Sequence, residues 1–176
     1  MRVIVRTQKD RPHVLNSLIT PYRNYYSFDF ARGFWTQMEH HIREGNVALL
    51  DVVKDEILRG NDELTDWLKG LEIGRLIDHR EAPILVNYGQ VLQFIQNNPY
   101  YRESALAEWS RNTVADPWLI ATAQAYDCSI VTFEIANSNP DIHNPWKMAK
   151  IPQVASEFGI TTINLFSMMR ALDFRL

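Results

Sequence analysis

Asp116-Pro117-Trp118-Leu119-Ile120-Ala121-Thr122-Ala123, followed by Ser129-Ile130-Val131-Thr132-Phe133-Glu134, is the stretch whose reading decides the fold. An Asp directly before a Pro and a run of helix formers predicts a helix start. Asp116 is then the N-cap, with Pro117 at the first helical position and the carboxylate facing outward. The β-branched run Ile130-Val131-Thr132 predicts a strand that Glu134 closes. In a parallel α/β sheet, helix starts and strand C-termini share one edge, where ligands bind. Asp116 and Glu134 are therefore expected on one rim.

Working outward, short strands are expected at Val3-Ile4-Val5 and His13-Val14-Leu15, and residues 17–32 read as aromatic and irregular. Phe34, Met38, His41 and Ile42 recur at helical spacing until Gly45-Asn46 stops them. Val47-Ala48-Leu49-Leu50 is a continuous apolar run of the buried-strand kind and leads into a helix over 51–58. Further helices are predicted over 62–69, 85–95, 104–110, 151–158 and 165–172, with a β-branched run at Ile160-Thr161-Thr162-Ile163. Strands alternating with helices predict an α/β fold, a three-layer α/β/α sandwich with a mostly parallel central sheet.

The 176 residues are 46% hydrophobic and 22% charged, the profile of one domain with room for a core. Residues 1–176 read as a single domain, with 1–15 an atypical N-terminal segment. A formal charge of −3 gives no general pull toward nucleic acid, so a polyanion must be held by a local basic patch or by metal ions. Cys128, the one cysteine, excludes an internal disulfide and any multi-cysteine metal site. No stretch approaches the ~18 apolar residues of a membrane span, and the first apolar run is too short for a signal peptide. A cytoplasmic protein with no membrane partner is expected.

Glu56 lies in the helix after Val47–Leu50 and is expected near the same rim. Converging carboxylates suit hard cations such as Mg²⁺ or Mn²⁺, and such a site suggests phosphoryl chemistry. Histidines are scattered, and no histidine metal site is expected. Arg23, Arg32, Arg59, Arg102, Arg111, Lys147 and Lys150 are candidates for a phosphate-gripping patch, and Tyr25, Tyr26 and Trp118 for stacking on unpaired bases.

Several motifs carry a resemblance. They are Val53-Lys54-Asp55-Glu56-Ile57 with Gly60-Asn61-Asp62-Glu63-Leu64 and Trp67, Ala115-Asp116-Pro117-Trp118-Leu119-Ile120-Ala121, Val131-Thr132-Phe133-Glu134, and Lys150-Ile151-Pro152-Gln153-Val154 with Phe158-Gly159-Ile160. With the aromatic segment Tyr25-Tyr26-Ser27-Phe28-Asp29-Phe30 and Gly33-Phe34-Trp35, they resemble a bacterial branch of the PIN-like proteins, from about residue 16 onward. The resemblance implies an α/β/α sandwich and a Mg²⁺- or Mn²⁺-dependent endoribonuclease. It implies the toxin of a toxin–antitoxin pair, with RNA as substrate, an antitoxin partner and a homodimer. It implies that Glu56, Asp116 and Glu134 are catalytic metal ligands and that Thr132 is a hydroxyl orienting the site.

One departure stands at the start. The family's first strand ends in an Asp, and here the stretch reads His13-Val14-Leu15-Asn16. Either Asn16 takes the ligand position, or it matches the family's Asn and the acid has become Val14. An amide oxygen brings no charge, so a catalytically impaired module that binds RNA or protein is the alternative expectation. A metal-dependent phosphatase acting on small molecules is a third.

Overall fold

The computed structural model describes residues 12–16 and 18–176. The strand expected at Val3–Val5 lies outside them. Among the described residues, five strands form one all-parallel sheet: β1 (His13–Leu15), β2 (Val47–Leu50), β3 (Leu76–Ile77), β4 (Ser129–Val131) and β5 (Thr162–Ile163), in the order β3-β2-β1-β4-β5. Helices flank the sheet as a three-layer α/β/α sandwich, the architecture expected from the alternation of strands and helices. The strand expected at His13-Val14-Leu15 is the central one. His13, Val14 and Leu15 are all buried, because β1 is covered by strands on both sides and helices on both faces.

The helices are α1 (Ile19–Asn24), α2 (Arg32–Arg43), α3 (Asp51–Leu58), α4 (Glu63–Lys69), α5 (Ala82–Asn97), α6 (Glu103–Trp109), α7 (Asp116–Tyr126), α8 (Ile151–Glu157) and α9 (Leu165–Ala171). Helix α1 lies inside the region read as irregular, and β3 inside a stretch read as a polar connection. Helix α7 is buried from Pro117 to Ala123, so its apolar residues need no amphipathic spacing. It packs against α5, where Asn87 Nδ2 donates to the Ala121 carbonyl at 3.1 Å.

Two glycines fix the approach to β3. Gly45 ends α2 with φ +75°, a left-handed conformation that suits a residue without Cβ. Gly74 passes so close to α2 that a Cβ there would lie 1.9 Å from the Arg43 carbonyl oxygen. Its N–H donates to the Ile42 carbonyl at 3.2 Å. Strand β3 then pairs with β2 through Leu49↔Leu76 and Leu50↔Ile77, which brings Asp78 and His79 beside the start of α3.

The order of strands reverses at β1, which has β2 on one side and β4 on the other. The β1 and β4 C-termini therefore flank the crevice where ligands bind in open parallel sheets. Asn16 follows β1 and Thr132 follows β4, one on each lip of that crevice.

Candidate functional site

The lip is tied together by side chains. Asn16 Nδ2 donates to Thr132 Oγ1 at 3.2 Å, and its backbone N–H donates to the Val131 carbonyl at 3.0 Å. Thr132 Oγ1 accepts a second bond from the Glu134 N–H at 3.1 Å. Thr132 is buried, and its hydroxyl thus joins the end of the central strand to the acid two residues on. Val14 is fully buried inside β1, so neither residue available at the first-strand position brings a carboxylate.

Glu134 is held at both oxygens. Lys150 Nζ donates to Oε1 at 2.7 Å, and the Ile151 N–H, opening α8, donates to Oε2 at 2.8 Å. Both members of the ion pair are largely shielded, with 29% of the Lys150 and 20% of the Glu134 side chain exposed. The spacing that predicted Glu134 gave no sign of this lysine sixteen residues on.

Asp116 differs from its expected role. Ala115 already has helical angles (φ −76°, ψ −24°) and its carbonyl accepts from Leu119 N at 2.9 Å, so Ala115 is the N-cap and Asp116 the first helical residue. No side-chain capping bond forms. The Asp116 carboxylate has no hydrogen bond or ion pair among the described residues, and it is half-buried. Burial, then the charges of Glu134 and Glu56, push its pKa up to about 7, with Glu108 adding to this and Lys150 opposing it. The three predicted acids thus share one electrostatic neighbourhood. No choice of one carboxylate oxygen from each of the three brings them all within 4.8 Å of one another. Two causes are visible: Glu134 is held by Lys150 and Ile151, and Glu56 is exposed on α3.

Among the described residues, the one group of three that does meet that distance is Asp51, Asp78 and His79. It lies on the same sheet edge and includes a histidine read as scattered. Asp51 Oδ1 accepts from the backbone N–H groups of Val52 (2.8 Å) and His79 (3.2 Å), and Oδ2 meets His79 Nδ1 at 2.7 Å. Asp78 is gripped through both oxygens by Arg80, at 2.9 and 2.8 Å, which holds its carboxyl well below the usual range. The signal that could have found this group is an Asp directly after one strand and an Asp-His pair directly after its neighbour.

The candidate aromatic and basic residues separate. Trp118 is buried and stacked on Tyr88 (centroids 3.6 Å, 10°), so it offers no open face, and Tyr26 is half-buried and stacked on Phe34 at 4.2 Å. Tyr25 is 47% exposed and lies parallel to Phe133 (5.9 Å, 11°), with Phe166 edge-on at 6.3 Å. Phe133 stands between Thr132 and Glu134, so this platform abuts the rim. Arg102 is spent on the Pro145 carbonyl and Asn144, Arg111 on Glu108, and Lys150 on Glu134. Arg23, Arg32, Arg59 and Lys147 remain exposed. Cys128 is buried, and burial pushes its thiol up to about 11, which leaves it no nucleophilic role at neutral pH.

A family model described as "Domain of unknown function (DUF4411)" matches residues 15–176. The chain belongs to this family. No curated protein and no solved structure matches it. The span matched to DUF4411 starts at Leu15, the last residue of β1, and contains Asn16, Glu56, Asp116, Thr132, Glu134 and Lys150. Within this DUF4411 chain no helix among the described residues is long and apolar enough to cross a membrane.

Proposed function

We propose that this chain is a Mg²⁺- or Mn²⁺-dependent endoribonuclease of PIN type, acting at the rim of Glu56, Asp116 and Glu134. The observation that carries this reading is Asp116. A half-buried carboxyl with no partner, in the field of two other acids and raised to about 7, is a group that a cation would bring back into the ionised range. The donor set is all oxygen, which suits a hard divalent ion. Such an ion, when bound, neutralises phosphate charge and lowers the pKa of a bound water. The chain's own groups would hold it through Asp116 and Glu56, with Glu134 close by and Thr132 keeping Glu134 in place. Tyr25, exposed beside Phe133, supports an unpaired base as the neighbouring contact, since stacking accepts any base.

Membership among PIN-like proteins, a toxin role with an antitoxin partner, a homodimer and a cytoplasmic location are part of the same proposal and rest on the sequence motifs. The test is cleavage of an end-labelled single-stranded RNA with Mg²⁺, with Mn²⁺ and with chelator, by the wild type and Asp116→Asn. Cleavage that disappears with chelator and with the substitution is the expected result. Metal-independent cleavage by a pure preparation would sink the mechanism. A second reading, a module that binds RNA or a protein without cutting, is favoured by the buried Val14 and by the Asn16 amide engaged with Thr132. It predicts retained RNA binding with no cleavage under any metal.

A further inference from the structure

Three aromatic rings meet beside the rim. Tyr25, just past α1, is 47% exposed, and Phe166, in the first turn of α9, is 44% exposed. The Tyr25 ring lies parallel to Phe133 with centroids 5.9 Å apart, and Phe166 meets it edge-on at 6.3 Å. Phe133 is half-buried and stands between Thr132 and Glu134 in the chain, so the rings adjoin the mouth of the crevice. Single exposed apolar side chains are ordinary, but rings from three separate segments in one contiguous patch mark a binding surface.

The charge around the rings indicates what covers them. The segments that supply them, 19–25, 132–134 and 165–171, contain three charged residues, Arg23, Glu134 and Arg170. Glu134 is already neutralised by Lys150, while Arg23 and Arg170 are exposed and have no ion-pair partner among the described residues. Arg170 follows Phe166 by about one turn of α9, which puts the guanidinium and the ring on one face of that helix. In a chain whose formal charge is −3, the patch is locally cationic and favours an anion. A duplex keeps its base faces inside the stack. Flat rings beside arginines therefore fit an unpaired strand, whose bases can stack while its phosphates meet the guanidinium. Deepening the ribonuclease reading above and resting on RNA as its ligand, we infer that Tyr25, Phe133, Phe166 and Arg170 form a subsite for single-stranded RNA, which holds one unpaired base on the Tyr25–Phe166 surface and a phosphate at Arg170. Stacking accepts any base, so the subsite positions the strand beside the crevice without choosing its sequence.

The probe is a short fluorescein-labelled single-stranded RNA, titrated against the full chain in chelator so that no metal-dependent cleavage intervenes, with anisotropy as the readout. The wild type is expected to bind it at least about tenfold more tightly than a duplex of the same length. Tyr25→Ala is expected to weaken binding about tenfold, the scale of one lost base stack, and Tyr25→Phe to keep the wild-type affinity. A 2-aminopurine in the strand is expected to be quenched by the wild type and not by Tyr25→Ala, which a merely structural role for the ring would not produce. Arg170→Gln is expected to lower the slope of log affinity against log salt by about 0.7, one phosphate contact, on oligouridylate and oligoadenylate alike. Phe166→Ala serves if Tyr25→Ala does not fold, with circular dichroism as the check. Unchanged affinity and quenching in both alanine variants overturn the inference, as does equal binding of single strand and duplex. Loss of self-association in those variants with RNA affinity intact also overturns it and makes the patch a protein interface. In each of these cases, metal-dependent cleavage that is lost in Asp116→Asn leaves the ribonuclease reading standing. A wild type that binds no RNA overturns the inference, whereas absence of cleavage under any metal is what overturns that reading.

Discussion

Asp51 and Asp116 are both half-buried carboxylates at the first position of a helix on the same sheet edge, and their surroundings treat them in opposite ways. Asp51 accepts from two backbone N–H groups and lies against the His79 ring, so it staples β3 to the start of α3. Asp116 has no hydrogen-bond or ion-pair partner among the described residues, and its burial and the charges of Glu134 and Glu56 outweigh the opposing charge of Lys150. The tight cluster is the satisfied one, and the looser one holds the unrelieved charge. Crowding of ligand atoms therefore does not by itself mark the reactive position. On the reading proposed above, the candidate position is instead the carboxyl that folding has left without a partner, because leaving such a group unpaired costs stability.

The largest effect expected from breaking this contrast is at Asp116. On the proposed reading, Asp116→Asn should lower RNA cleavage by at least about 100-fold, because it removes a carboxylate that would hold the ion, and even changes behind metal ligands cost up to about that much. At pH 8 it should raise the thermal unfolding midpoint, since the repulsion from Glu134 and Glu56 is removed. A variant that is both inactive and less stable would break the comparison.

The matching change at Asp51 should have the other sign. Asp51→Ala should cost about 2–3 kcal/mol in urea unfolding, because it leaves the Val52 and His79 N–H groups without their acceptor. The folded fraction should bind Mn²⁺ with the wild-type count. Loss of ion binding in this variant would move the candidate site from Asp116 to Asp51.

A pH profile sharpens the contrast further. Burial and the neighbouring acids push the Asp116 carboxyl up to about 7 in the folded state, well above the ordinary carboxylate range, so the folded state holds the proton more tightly. Its contribution to stability is fully present below about pH 4 and is lost as pH rises through 7. The stability difference between Asp116→Asn and the wild type should accordingly widen between pH 4 and pH 7 and level off above that. Urea unfolding across this range measures it, and a flat difference contradicts the assigned environment. The smallest effect is expected at Arg80. Its pair with Asp78 is exposed on both sides, so Arg80→Ala should leave the unfolding midpoint unmoved in scanning calorimetry.

Much of the architecture was legible because it depends on local pattern. The buried run Val47–Leu50, the helix start at Asp116-Pro117 and the β-branched stretch before Thr132 each announce their element through side-chain type alone. Strand β3 is two residues long, too short for any periodicity, and exists because Gly74 lets the chain pass against α2. Helix α1 begins with Ile19-Thr20-Pro21, and no capping side chain or apolar stripe signals it. Asp116 was expected as a cap because Asp before Pro favours that position, but the helical angles of Ala115 moved the helix start by one residue and released the carboxylate.

By itself, the sequence determined the class of the fold and a mostly parallel sheet, because the alternation of strands and helices leaves few other ways to bury the apolar runs. Only the tertiary structure decided which of Asp116, Glu134 and Glu56 is paired. The Lys150–Glu134 and Asp51–His79 contacts join residues sixteen and twenty-eight positions apart, across loops whose paths no local preference sets. Whether a carboxylate meets a cation, an N–H group or another carboxylate is decided by packing at a distance in sequence, and on this edge that decision separates a structural staple from a candidate site.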